Sequence, residues 1–304
     1  MTPMRITVLL LVLAVVAFIQ KPSQHGIQVA DLNQQVSACE DFYEFANGGW
    51  RTANPIPASM PRWSRRWAAG ESTKDKLREI LDEVAAKNGT KGSAEQLIGD
   101  FYSSCNDEAR ANELGPKPIE PFLREIDLIK STADLQSMIA RFRELGISVP
   151  FGFGAGSDTR NPNNVIAQVG GGGFGLPDRD YYLKPEPRFQ QAREKYLAHI
   201  AKMFDLAYLN ADEAKVAADT VFGIEKQFAE SSLDRVALRT PKATDHKMEV
   251  AELQKLTPNF DWTAYYKRLG VVPGTLNVSQ PKFMEEFNRQ LTATPIADWK
   301  LYLK

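Results

Sequence analysis

Metal-assisted hydrolysis needs about three side-chain ligands at one point, an open position for water and a base beside it. The chain has three histidines to offer. His25 lies in a polar stretch, His199 is followed by Ile200-Ala-Lys-Met and His246 by Lys247-Met-Glu-Val, so neither of the last two opens the paired-histidine spacing of a zinc hydrolase. Each reads as a lone surface histidine. No Gly-x-Ser-x-Gly elbow occurs, and neither Cys39 nor Cys105 has a histidine and an asparagine at thiol-hydrolase spacing. Gly170 to Gly173 and Gly175 form a glycine run without the Gly-Lys-Ser/Thr of a phosphate cradle, which leaves a tightly turning connection. Leu176-Pro177-Asp178-Arg179-Asp180-Tyr181-Tyr182-Leu183 carries two acids and a base. Ion-pair networks imitate sites of this kind, and a salt-bridged turn with its tyrosines packed inward is the preferred reading. In Arg62-Trp-Ser-Arg-Arg-Trp67, arginines stacked on indoles at the edge of a core are the plain reading. The residues show no hydrolytic apparatus and no cofactor of the chain's own.

The elements that would position these residues are mostly helices. Cys39 to Trp50 puts Phe42, Tyr43 and Phe45 on one helical stripe and Glu40, Asp41 and Glu44 on the wet face. Gly48-Gly49 is expected to stop that helix and turn Trp50 back onto the stripe. A helix from Ser72, with Asp75 as its box partner, carries Leu77, Ile80, Leu81 and Val84 and ends at Asn88-Gly89. Further stripes follow at Ala94 to Cys105, at Ile119 to Ile126 behind Pro118, and at Leu135 to Leu145 before Gly146. All of these stripes are expected to be core. Between Val149 and Val169 two short apolar runs flank Ser157 to Pro162, as in a hairpin. Helices return over Pro187 to Tyr208 and from Asn210 through Phe228, with shorter ones over Trp262 to Leu269, Phe283 to Leu291 and Ala297 to Leu303; Leu276 to Ser279 is expected to be extended. The fold class is therefore mainly α, a multi-helical domain with a small β-hairpin or sheet near residues 149–170. Trp299-Lys-Leu-Tyr302 is still a helical pattern where the sequence stops, which predicts a fragment.

At 304 residues, 43% apolar and 25% charged, the chain can bury a real core. Its 37 basic and 38 acidic residues balance, so no global field recruits nucleic acid. Arg5 precedes an apolar run from Ile6 to Ile19, the form of an export signal. The run falls short of the roughly 20 residues needed to span a bilayer. The expected layout is a signal peptide or signal anchor at 1–20, a linker at 21–38 and one domain at 39–304. Export implies a periplasmic or extracellular location, with a membrane tether through the N-terminal segment as the alternative.

In order and separation, CEDFYEFANGGW at Cys39 to Trp50, Asn54-Pro-Ile-Pro57, FYSSCND at Phe101 to Asp107, PFGF at Pro150 to Phe153 and GFGLPDRDYY at Gly173 to Tyr182 resemble one known family. It is the neprilysin and endothelin-converting-enzyme family of zinc metallopeptidases, in its N-terminal half. The signature residues are Cys39, Asp41, Phe42, Tyr43, Gly48, Gly49, Trp50, Cys105, Gly175, Pro177, Asp178, Arg179, Asp180, Tyr181 and Tyr182. The resemblance implies a helical half that caps a catalytic half and encloses a chamber admitting short peptides. Zinc is implied for the full-length enzyme, in an HExxH helix and a downstream ExxxD that this sequence lacks. Arg62 falls where relatives hold the C-terminal carboxylate of a peptide, although the second arginine of that site would fall near Gly70. The resemblance also implies that Cys39 and Cys105 pair with cysteines of the catalytic half, so no internal disulfide is expected; the alternative is two small buried hydrophobes. Asp245 replaces the usual tyrosine of a later family block. A second hypothesis, of another class, is a stand-alone, non-catalytic exported module that binds peptides or proteins.

Overall fold

The computed structural model describes residues 28–60, 62–207 and 210–304. The signal segment, His25 and Tyr208 lie outside the described residues. The chain divides after Glu108 into two compact units.

The first unit opens with a 3-10 turn at Val29–Asp31, followed by α1 (Phe42–Ala53). Asp41 caps α1 by accepting the Glu44 N–H at 2.9 Å. The helix does not stop at Gly48-Gly49 but runs through them to Ala53, so Trp50 stays on the helix. The reason is close packing by the preceding chain. A Cβ on Gly49 would strike the Ala30 carbonyl oxygen and lie 2.9 Å from the Asp31 carbonyl carbon; one on Gly48 would strike the Glu44 carboxylate and lie 2.7 Å from Asn33 Cβ. These glycines admit a neighbour; they do not cap a helix. Part of the polar stretch expected as a linker is thus packed onto α1. α2 (Arg65–Ala86) begins well before Ser72, because Ser64 is its cap and accepts the Trp67 N–H at 3.4 Å. Asn88, at φ 47°, follows its end. α3 (Ala94–Cys105) is capped by Ser93 and packs on α2, where a Cβ on Gly99 would lie 3.2 Å from Ala85 Cα.

The remaining helices and the strands of the described residues follow. α4 (Glu108–Leu114) spans the division; α5 (Glu120–Asp127) carries Pro121, not Pro118, in its first turn. α6 (Thr132–Glu144) is opened by a reciprocal box between Ser131 and Asp134 and followed by Gly146 at φ 81°. β1 (Phe151–Ser157) and β2 (Val165–Gly171) make the hairpin. Then come α7 (Arg179–Leu183), α8 (Pro187–Ala207), α9 (Ala211–Ser231), α10 (Pro241–Thr244), β3 (Lys247–Met248), α11 (Val250–Leu256), α12 (Trp262–Arg268), β4 (Leu276–Val278), α13 (Pro281–Ala293) and α14 (Ile296–Leu303). The protein is mainly α. Its sheet has four strands in the order β1-β2-β4-β3, antiparallel except for the parallel pair of β2 with β4.

The main core of the second unit lies between this sheet and α6, α9, α11, α12, α13 and α14. Phe151 reaches from β1 to Trp262 and Phe287, each 5.2 Å away between ring centroids, and Trp262 donates its indole N–H to Thr257 Oγ1 at 2.7 Å. A smaller cluster joins α8 to α9 through Ile200, Phe204 and Val221.

Candidate functional site

The glycine run and the segment after it converge on one buried carboxylate, Glu225 of α9, which is 4% exposed. Gly170 and Gly171 close β2, and Gly173, at φ 72°, takes a backbone conformation that suits glycine. Its carbonyl accepts the Tyr302 hydroxyl at 3.0 Å. Gly175 donates its N–H to Glu225 Oε1 at 3.0 Å, and a Cβ there would fall on the Tyr196 hydroxyl. Tyr196 donates to the same oxygen at 2.9 Å, while Tyr182 donates to Oε2 at 2.9 Å and accepts the Leu176 N–H at 3.0 Å. Burial raises the Glu225 pKa, and the Tyr182, Tyr196 and Gly175 hydrogen bonds oppose that rise. Burial and the Glu225 charge push both tyrosines well above the ordinary phenol range.

Around this centre the acids and the arginine of the segment make local bonds. Asp178 caps α7 by accepting the Asp180 N–H at 2.9 Å and lies 3.5 Å from Arg235; Asp180 pairs with Lys184 at 2.9 Å. Arg179 donates to the Ser232 carbonyl at 2.9 Å. Pro177 is exposed, Tyr181 meets Phe189 edge-on at 5.1 Å, and Tyr182 stacks on Phe222 at 5.4 Å. Each Glu225 oxygen is occupied by donors from this segment, α7 or α8. The arrangement clamps a loop to α7, α8 and α9.

The other residues singled out in the sequence lie in the first unit, and the structure does not gather them into one site. Arg62 is exposed, with its guanidinium 5.0 Å above the Trp67 ring, and Gly70 is exposed with open space around it. Arg65 pairs with Asp31 and lies 5.9 Å over Trp50. Phe42 and Tyr43, at 70% and 64% exposure, are surface residues, contrary to the expected core stripe. Cys39 and Cys105 are free and exposed, which overturns the buried alternative. Among the described residues no three His, Cys, Asp or Glu side chains are grouped to hold a metal ion. Sequence reasoning missed Glu225, Tyr196 and Tyr302. One signal was available, since Glu225 sits among the apolar residues Val221, Ile224 and Phe228 that mark the buried face of α9.

Residues 38–304 match the N-terminal model of Peptidase family M13. The chain belongs to that family. Endothelin-converting enzyme 1 of Mus musculus is 26% identical over 275 residues, covering 86% of this chain and 34% of the relative. Neprilysin-3 of Drosophila melanogaster is 25% identical over 241 residues, covering 76% and 30%. The chain thus spans about a third of the length of these relatives. A crystal structure of the Mycobacterium tuberculosis zinc metalloprotease ZMP1 with an inhibitor matches at a TM-score of 0.80 and 24% identity, over 91% of this chain and 42% of that one. PEPO from Lactobacillus rhamnosis matches at 0.71 and 15%, over 88% and 42%. Both likenesses speak to the fold. This M13 chain is therefore an N-terminal domain whose GLPDRDYY segment is held by Glu225, and no helix among its described residues is long and apolar enough to cross a membrane.

Proposed function

We propose that this chain is the N-terminal domain of an exported, zinc-dependent M13 endopeptidase that cleaves short peptides, and that its role there is to shape and shield the substrate chamber. The observation that carries this reading is the match of the N-terminal family model to nearly the whole chain while the chain spans about a third of its relatives. The zinc, its ligands and the base then belong to a catalytic half that this domain covers. Arg62, stacked on Trp67, is assigned to the C-terminal carboxylate of the peptide, a task suited to a planar bidentate donor. The signature residues from Gly175 to Tyr182 are assigned a structural role, because their polar groups are taken up within the fold.

The test has two arms. The purified 304-residue chain is assayed for bound zinc by elemental mass spectrometry and for cleavage of a quenched fluorescent octapeptide; neither is expected. The native product in source cells is sized with an antiserum and is expected well above 34.0 kDa. Stoichiometric zinc with peptidase activity in the short chain would overturn the reading. A native product of about this mass would favour the stand-alone binding module, a reading that draws on the exposed apolar side chains Leu97, Ile98 and Phe101.

A further inference from the structure

β1 is an edge strand, since the sheet runs β1-β2-β4-β3 and no other strand among the described residues pairs with its outer side. The direction of its backbone groups follows from the register. Val169 of β2 gives its carbonyl to the Ser279 N–H, at 2.8 Å, on the β4 side. Successive residues of a strand point their N–H and C=O to opposite sides, so Ile166, Gln168 and Gly170 bond toward β1. Their partners in register are Gly156, Gly154 and Gly152. The bond from Asp158 N–H to the Asn164 carbonyl, 2.9 Å, continues the same phase. The groups that point away from the sheet are therefore those of Phe151, Phe153, Ala155 and Ser157. Phe151 is buried, and the Ser157 carbonyl accepts the Gln168 amide at 3.4 Å. The N–H and C=O of Phe153 and of Ala155 have no protein partner among the described residues.

An uncovered strand edge is a template for another strand, and proteins ordinarily blunt one with a charge, a proline or a bulge. The sequence of β1, Phe-Gly-Phe-Gly-Ala-Gly-Ser, has no charge and no proline, and its register with β2 runs without a bulge. One face is glycine at Gly152, Gly154 and Gly156; the other carries Phe151, Phe153 and Ala155. The glycine face is open at Gly152, while the Arg143 guanidinium and the Gln168 side chain stand 4.0 Å and 3.1 Å from where a Cβ would sit on Gly154 and Gly156; the opposite face offers an incoming strand apolar neighbours.

We propose that β1 is a docking edge for an extended peptide, which adds as a further strand through the backbone groups of Phe153 and Ala155. Recognition is by main chain, so the site tolerates sequence and favours apolar side chains at alternate positions of the peptide, those beside Phe153 and Ala155. The choice of a peptide as occupant rests on the reading of the intact protein as a peptidase of short peptides.

The test is direct binding, separate from hydrolysis. A fluorescein-labelled decapeptide of alternating valine and threonine, with lysines at both ends, is titrated with the intact chain and followed by anisotropy. Two changes probe the edge. N-methylation of the valine amides in one peptide, and of the threonine amides in another, removes the donors of each peptide edge in turn without touching the protein. Ala155→Pro removes an outward N–H that makes no bond to β2, so the hairpin ladder is kept. Saturable binding is expected, weakened about tenfold by one of the methylated peptides and by Ala155→Pro, in line with losing one or more net hydrogen bonds. Absence of saturable binding up to about 1 mM would overturn the proposal. So would binding indifferent to both changes, or self-association abolished by Ala155→Pro without peptide binding. Peptidase activity of the native product without edge binding would sink this inference alone, and edge binding without any such activity would sink the functional reading alone.

Discussion

The two units bury their residues differently although both are built from amphipathic helices. Within the described part of the first, the only buried residues are Gly48 and Gly99, both lacking a side chain. The second buries Trp262, Trp299, Phe228, Phe260, Phe283 and Phe287 almost completely. In the first unit the apolar residues at helical spacing, Leu77, Ile80, Leu97, Ile98 and Phe101, are 46% to 74% exposed. Its order comes instead from close backbone approach at glycines, from side-chain caps at Asp41, Ser64 and Ser93, and from cations over tryptophans. Helical periodicity states that a face can be buried; only tertiary structure states whether it is.

A matched pair of truncations makes that contrast sharpest. Phe228, fully buried, lies 5.1 Å from the Phe283 ring and 6.4 Å from Trp299. Phe228→Ala is expected to cost about 3–5 kcal/mol, because a cavity forms among rigid aromatics. Chemical denaturation followed by tryptophan fluorescence measures it, and a loss near zero would mean that the second unit has no continuous core. Next in size is Gly175→Ala. Its Cβ would fall on the Tyr196 hydroxyl and push Tyr196 off Glu225, at about 1–3 kcal/mol for an overpacked site. Adding Tyr196→Phe removes the nearest obstruction but leaves the ring carbon Cζ 2.4 Å from that Cβ, so only a small part of the loss is expected to be recovered.

How much could be read from sequence follows the same division. The α9 start was legible because Asn210 with Glu213 is a local reciprocal box, and the β1-β2 hairpin was legible from two apolar runs around a polar turn, whereas the Ser131 and Asp134 box that opens α6 at Thr132 went unread. Continuation of α1 through Gly48-Gly49 was not, because it depends on Ala30, Asp31 and Asn33 packing back onto that face. Nor was the parallel pairing of β2 with β4, between segments far apart in the chain. Of the candidate site, GLPDRDYY stood out as a signature, but its anchor did not. Glu225 is 50 residues from Gly175 and 43 from Tyr182, and nothing local joins them.

A smaller effect distinguishes a clamp held by charge from one held by shape. Glu225 has its pKa raised by burial above the ordinary value of about 4.3, so the folded chain holds that proton more tightly than the unfolded chain. Its contribution to stability is therefore fully present below the unfolded pKa and declines as pH rises toward the folded one. In Glu225→Gln the amide oxygen still accepts from Gly175 and Tyr196, but the amide nitrogen faces Tyr182 and leaves that hydroxyl proton without an acceptor. At acid pH the wild-type carboxyl also carries a proton, so the substitution is expected to cost less than about 1 kcal/mol there and to become neutral or stabilising as pH rises. Denaturation midpoints of both proteins across pH 4 to about 8 read this directly. Parallel curves would mean that Glu225 does not titrate in that range.

The smallest effect tests the first unit from the other side. Phe101 is 74% exposed and lines an apolar cleft of about 490 Å³ with Leu81, Leu97, Ile98, Tyr102 and Cys105. Phe101→Ser removes apolar surface that the described chain leaves in water, so the stability change is expected within about 0.5 kcal/mol. Binding of a hydrophobic dye should nonetheless fall, since the cleft loses its most exposed wall. A destabilisation approaching that of Phe228→Ala would mean that the face is buried in solution by a partner or another copy. The contrast between the units would then be one of which surface covers the helices, not of how their sequences are built.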